Sequence, residues 1–212
     1  MSPTFTDSDD GITKNKYASH YYGIAGALGM VPGTSNYYRV GLLQTAYTAM
    51  NGRVVTGPHA DSGVIVLNGM LGFESVSDGT SNTFMAGEIS WDGYGGHYDW
   101  ARGTMGSAAG APMVSAKGLA YNLIINYGKK KSATDTISLT FKLPDGTDDT
   151  QNYPVRGQNL AGCGVGSFGS NHPGGCHFLY TDASVHFVNE STVSDVLLGG
   201  ASRDYGEVVT LP

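Results

Sequence analysis

Apolar positions in this chain fall in short runs between turn residues, and most of those runs have the two-residue period of a strand. Residues 136–143, TISLTFKL, alternate cleanly, with Ile137, Leu139, Phe141 and Leu143 on one face. Pro144-Asp145-Gly146 then predicts a hairpin turn into a returning strand over 147–155, and the polar neighbours mark residues 132–156 as an inserted hairpin. A β-branched run at 63–67, GVIVL, closed by Asn68-Gly69, predicts another strand, as do residues 83–88 after Asp78-Gly79 and the apolar run 119–127. Helical spacing is scarce. Residues 38–50, YRVGLLQTAYTAM, predict one short amphipathic helix, and 191–198 predict another turn or two.

Near the C-terminus two apolar runs, 176–180 and 185–188, flank Thr181-Asp182-Ala183-Ser184. With that tetrapeptide as a four-residue loop, Tyr180 pairs with Val185 and Phe178 with Phe187. Those four side chains then face the core, while His177, Leu179, His186 and Val188 share the other face. Asp182 is expected to bind loop backbone N–H groups or the side of His172.

Composition narrows the class. The chain has 212 residues with only 14% charged, against about 25% for an average soluble domain. It carries 32 Gly and 13 Tyr, which fits a turn-rich, β-rich, extracytoplasmic protein. A chain of this length builds its own core, so no metal or disulfide is needed for folding. The formal net charge of −6 argues against a nucleic-acid partner. No stretch of about 18 apolar residues predicts a membrane span. The first 16 residues form a polar segment, acidic over Met1 to Asp10, and residues 17–212 read as a single domain. The glycine-rich loops at 94–97, 103–110 and 157–175 lack phosphate-loop spacing, and glycine there is read as backbone freedom.

A C-terminal pattern places a histidine, then nine residues, then Asp-Ala-Ser-Val: His172-Pro173-Gly174-Gly175 leads to Asp182-Ala183-Ser184-Val185. Upstream, Asp78-Gly79-Thr80-Ser81-Asn82-Thr83 is followed by Gly87-Glu88, and weaker matches lie at Trp100-Ala101-Arg102-Gly103 and Gly206-Glu207-Val208-Val209. With these marks the chain resembles, from about Tyr17 onward, the pilin-like proteins abundant in planctomycetes, carried as a domain of unknown function. Ala183 departs from the family's Asp-Gly. The resemblance implies an α+β, β-rich globular head like those of pilins and pseudopilins, with mainly antiparallel strands and one or two short helices. It also implies a prepilin-type helix at the start of full-length members, so this chain is expected to be the distal part of a longer protein.

The implied function is a non-catalytic structural or interaction subunit of an extracellular filament, a cell surface or a secretion-type assembly, with like subunits or other surface components as partners. Two rival classes stand beside it. Exposed Tyr94, Tyr98 and Trp100 would make a polysaccharide-binding module, and Glu88 with Asp182, or Ser170 or Ser184 with His172, would make a hydrolase. The residues that the resemblance singles out, Asp78, Glu88, His172 and Asp182, have two readings. They form a shared polar cluster, or the aspartates organise turns and His172 orients the loop before the last hairpin. The structural role is the expectation. Glu88, if buried, needs a partner, with Arg102 and His172 as candidates. No metal is assigned, because HExxH, CxxC and calcium-loop spacings are absent, and the acidic TDSDDG segment reads as a solvated tail. No cofactor is expected. Cys163 and Cys176 stand in glycine-rich surroundings, where an exported chain would join them in a disulfide and a cytosolic one would leave two thiols.

Overall fold

The computed structural model describes residues 4–7, 14–17, 21–48, 54–66, 69–88, 116–120, 125–126, 136–143, 145–154 and 168–207. In chain order the strands are β1 (Thr4–Asp7), β2 (Lys14–Tyr17), β3 (Tyr21–Leu28), β4 (Val40–Thr48), β5 (Val54–Ala60) and β6 (Phe84–Glu88). They continue with β7 (Ala116–Ala120), β8 (Thr136–Lys142), β9 (Asp148–Pro154), β10 (Gly175–Tyr180) and β11 (Val185–Asn189), and one helix, α1 (Ser194–Ala201), follows. A five-stranded sheet of order β11-β10-β6-β3-β7 forms the frame, antiparallel except for the β3–β7 pair. Three further antiparallel pairs, β1–β2, β4–β5 and β8–β9, stand as separate two-stranded sheets. The architecture is α+β and mostly antiparallel, as expected. Among the described residues no helix is long and apolar enough to cross a membrane.

One face of the main sheet carries the core. Tyr22 and Ile24 of β3, Phe84 of β6, Cys176, Phe178 and Tyr180 of β10 and Val188 of β11 are all buried there. Each large apolar side chain so buried contributes roughly 1.5–3 kcal/mol. Phe84 stacks on Phe178 with centroids 4.5 Å apart and meets Tyr180 edge-on at 5.1 Å. Leu197, Leu198 and Ala201 of α1 join the same cluster with Ile125 and Phe168. This helix has no side-chain N-cap and contains Gly199-Gly200, so packing rather than propensity holds it. Gly200 lies where a Cβ would stand 2.5 Å from the Phe84 ring.

Two expected elements take other forms. The predicted helix over 38–50 is instead strand β4, paired with β5 from Val40↔Ala60 to Thr48↔Val54. Gly41 weakens a helix there, and the Val54-Val55-Thr56 run opposite offers a β-branched partner; pairing overrides a helical period. The predicted strand over 63–67 is an irregular bend laid along β3, while Leu67 and Asn68 lie outside the described residues. Its backbone still pairs, with Gly63 N–H donating to Ala25 O at 2.8 Å and Ile65 N–H to Ile24 O at 3.2 Å. Ser62 explains the bend. Fully buried, its Oγ accepts the Ala27 N–H at 3.0 Å beside a bulge in β3.

The hairpin within 132–156 forms as predicted, with Lys142↔Asp148 nearest the turn. The last hairpin forms too, but in a register one residue away from the expected one. Leu179 pairs with Val185, Phe178 with His186 and Cys176 with Val188. Phe178 and Tyr180 face the core as expected, but Val185 and Phe187 do not: they are 59% and 40% exposed, and the fully buried Val188 takes the inner place. His177 and Leu179 keep the outer face. The cause is the turn: Tyr180 N–H donates to Ser184 O at 2.9 Å, so Tyr180 is closed on Ser184 across three residues rather than on Val185 across four. A one-residue change of register turns over every side chain of a strand. Phe178→Ala should therefore cost about 3–5 kcal/mol, while Phe187→Ala should cost about 1 kcal/mol or less. Urea unfolding midpoints of the two variants check this, and equal losses would contradict the register.

Candidate functional site

The turn at 78–83 is built locally and then used twice by distant segments. Gly79 adopts a φ of 95°, Asn82 N–H donates to Gly79 O at 2.9 Å, and Thr83 Oγ1 donates to Gly79 O at 3.1 Å. The Asp78 carboxylate reaches away from its own turn. It accepts the Tyr205 N–H at 3.0 Å, the Gly206 N–H at 2.9 Å and the Ser202 hydroxyl at 3.4 Å. Asp78 N–H returns a bond to Arg203 O at 3.1 Å, and the buried Arg203 guanidinium donates to Asp61 O and Gly63 O. The segment after α1 is thus clamped against the turn and the 61–65 bend.

The last hairpin docks on the other side of the same turn. Thr181 donates both its N–H and its hydroxyl to Thr83 O at 2.9 Å, and Asp182 N–H donates to Thr80 O at 3.1 Å. Asp182 Oδ1 accepts from Ser184 N–H at 2.9 Å and from its hydroxyl at 2.6 Å, closing its own turn. The Ser184 bonds hold this carboxyl below its ordinary range. The expected bond to His172 is not made; the turn-closing role is. Asp145 with Thr147 repeats the arrangement, at 2.9 and 2.7 Å.

Glu88 closes β6 on the opposite face of the sheet from Gly87, whose Cβ would meet Phe168 and Phe178. Its carboxylate is 7% exposed. Oε2 accepts the His177 N–H at 2.6 Å and lies 3.3 Å from His177 Nδ1, while Oε1 lies 3.4 Å from His172 Nε2. His172 and His177 meet edge-to-face with centroids 5.1 Å apart, and Phe187 packs on His177 at 5.2 Å. One ligand atom from each of Glu88, His172 and His177 falls within 4.8 Å of the others. His172 is anchored by its N–H to Ser170 Oγ at 3.0 Å, and Ser170 in turn donates to Gly175 O at 2.8 Å. Gly174, at φ 80°, bends the chain after Pro173 into β10.

The chain belongs to the family described as protein of unknown function (DUF1559), which it matches over residues 8–194. No curated protein and no solved structure matches it.

Within this member of the family the four singled-out residues separate into three places. Glu88 and His172 come together, as expected of one candidate pair, and His177 completes the group. Asp78 and Asp182 sit apart from it and from each other's work. Asp182 lies in the turn beyond the end of β10, whereas Glu88 is level with His177, three strand residues or about 10 Å before that end. That is beyond the roughly 5–9.5 Å of paired glycosidase carboxylates. Neither serine makes a nucleophile with His172: Ser170 bonds its backbone N–H, not its ring. Ser184 lies between Asp182 and His186 Nε2 (3.1 Å), so the bonds run Asp–Ser–His rather than Ser–His–Asp. Cys176 is a free thiol in the core, pushed up in pKa by burial. Cys163, Tyr94, Tyr98, Trp100 and Arg102 lie outside the described residues.

Two consequences are measurable. Ala183 holds a φ of 70°, in the place that Gly146 occupies at 85° in the matching turn of the β8–β9 hairpin. Alanine in that region costs roughly 1–2 kcal/mol, part of which glycine returns as unfolded-state entropy. Ala183→Gly should thus stabilise the chain by about 0.5–1 kcal/mol in urea unfolding; destabilisation would contradict the turn.

The second concerns Glu207, which follows the Asp78 clamp. Both its carboxylate oxygens are buried beside the Tyr38 and Ser202 hydroxyls, and burial outweighs those hydroxyls to raise its pKa above the ordinary 4.5. A raised folded-state value means the folded chain holds the proton longer than the unfolded one. Its contribution to stability is full below pH 4.5 and is lost as pH rises through the folded-state value. Unfolding midpoints measured from pH 4.5 upward should fall in the parent chain and flatten in Glu207→Gln.

Proposed function

We propose that this chain is a non-catalytic structural or interaction subunit of an extracellular filament, cell surface or secretion-type assembly, built as a pilin-like head and carried outside the cytoplasm. The observation that carries the reading is where the marked residues spend their polar groups. Asp78, Thr80, Thr83, Thr181 and Asp182 bond backbone and hydroxyl groups that join three distant segments, and Ser184 closes the turn of Asp182. Residues given to such joins make an architecture, whereas a hydrolase would need them converging on a substrate. The low charge and the Gly- and Tyr-rich composition suit a surface that packs against like subunits or other surface components.

The aromatic residues of the polysaccharide-binding reading lie outside the described residues, and the separation of Asp182 from Glu88 counts against the hydrolase. The test is electron microscopy of envelope preparations from the native source, with gold-labelled antibody against this chain. Label on filaments or ordered surface layers is expected. Label confined to the cell interior, with a monodisperse monomer in sedimentation, would overturn the proposal; retention of the chain on polysaccharide columns would favour the rival.

A further inference from the structure

The outer face of the sheet carries one cross-strand row that the motif clamp does not use. Glu88 stands opposite Tyr21 of β3 on one side, and on the other side the register of β6 and β10 brings it level with His177, which pairs with Phe187. Row and loop together bring an imidazole Nε2, an imidazole Nδ1 and a carboxylate into one place. The separations of 3.3 and 3.4 Å are long for a charge-assisted hydrogen bond, which runs about 2.7–2.9 Å. They run to the two different oxygens of one carboxylate, and one ligand atom from each of the three residues lies within 4.8 Å of the others, close enough for all three to converge on a single ion.

Charge and chemistry point the same way. The Glu88 carboxylate is more than nine-tenths buried, and its ion-pair partners among the described residues are two histidines that carry charge only when protonated. A dication compensates the carboxylate with both imidazoles neutral. Two imidazoles and one carboxylate suit zinc and its neighbours in the transition series, whereas calcium and magnesium select oxygen. His172 and His177 are 53% and 39% exposed, so an ion would enter from solvent and keep a position open there. The Cys176 thiol is buried on the core face of the sheet and is no part of the set.

We propose that Glu88, His172 and His177 form a binding site for one divalent ion of the zinc type, three-coordinate from the protein with a solvent-facing fourth position. The site lies outside the core, so the ion adds to a chain that folds without it, and the proposal stands independently of the subunit reading.

The test is titration of the full chain, stripped with chelator and dialysed, with zinc alone against a chromophoric competitor. One ion per chain is expected. Affinity should fall roughly tenfold or more in His172→Ala and in His177→Ala and stay unchanged in His186→Ala, whose ring lies against Tyr180. Cobalt in place of zinc should give the visible absorption of a low-coordinate complex and lose it in the same two variants. His172 is a half-exposed loop residue, so its variant keeps the fold, which far-UV circular dichroism verifies. A parent chain that binds no zinc overturns the proposal. So does a loss well below tenfold in either histidine variant, which would place the ion at other histidines.

Discussion

The arrangement depends on a single extra residue in β6. Between Leu179 and Tyr180 the β6–β10 register shifts, so that Leu179 faces Ala86 while Tyr180 faces Phe84, and Met85 is left over. In an unbroken strand Phe84, Ala86 and Glu88 would share a face, and either the ring would be in solvent or the carboxylate in the core. The bulge reverses the alternation once. Phe84 turns inward to Phe178, Tyr180 and Gly200, Met85 is partly exposed, and Glu88 turns outward to the histidines. Both the core and the ionisable cluster therefore rest on that one irregularity.

What fixes the bulge is the turn that precedes it. The Thr80 and Thr83 carbonyls receive the tip of the last hairpin, and the Asp78 carboxylate receives the segment after α1. Sheet, helix and C-terminal segment are thus referred to one six-residue loop. Aromatic packing sets a second constraint at Gly87 and Gly200, where a Cβ would enter the Phe168 and Phe84 rings respectively. Part of the high glycine content is consequently room for rings rather than loop freedom, a use that composition does not reveal.

Much of this was readable where local chemistry decides it. The β8–β9 hairpin follows from alternation plus Asp145-Gly146, and the turn role of Asp182 follows from a short carboxylate two residues before a hydroxyl. The same comparison contained the register of the last hairpin. Asp145-Gly146-Thr147 and Asp182-Ala183-Ser184 are one turn with alanine in the glycine position, whereas a four-residue loop follows from the limits of the flanking apolar runs alone. The β4 strand and the 61–65 bend were not readable, because pairing with β5 and the insertion of Ser62 at Ala27 are long-range choices. His177 was placed on the outer face by alternation alone. Its meeting with Glu88 needed the β6–β10 pairing and the bulge, which no local pattern encodes.

The cluster on the outer face is fixed in place by backbone. Glu88 Oε2 accepts the His177 N–H at 2.6 Å, so the carboxylate is oriented by the same strand that supplies one imidazole. His172 hangs from Ser170, which is tied to Gly175 O and, through its N–H, to the Asn126 side chain. Gly169 N–H donates to Glu88 O, closing the circuit between the loop and β6 at 2.8 Å. Three side chains from two strands and a loop are therefore held by bonds that exist whatever occupies the space between them. Preorganisation of this kind lowers the ordering cost of binding. It also separates the two roles of β6: its first half builds the core, and its last residue presents a carboxylate that the core does not need.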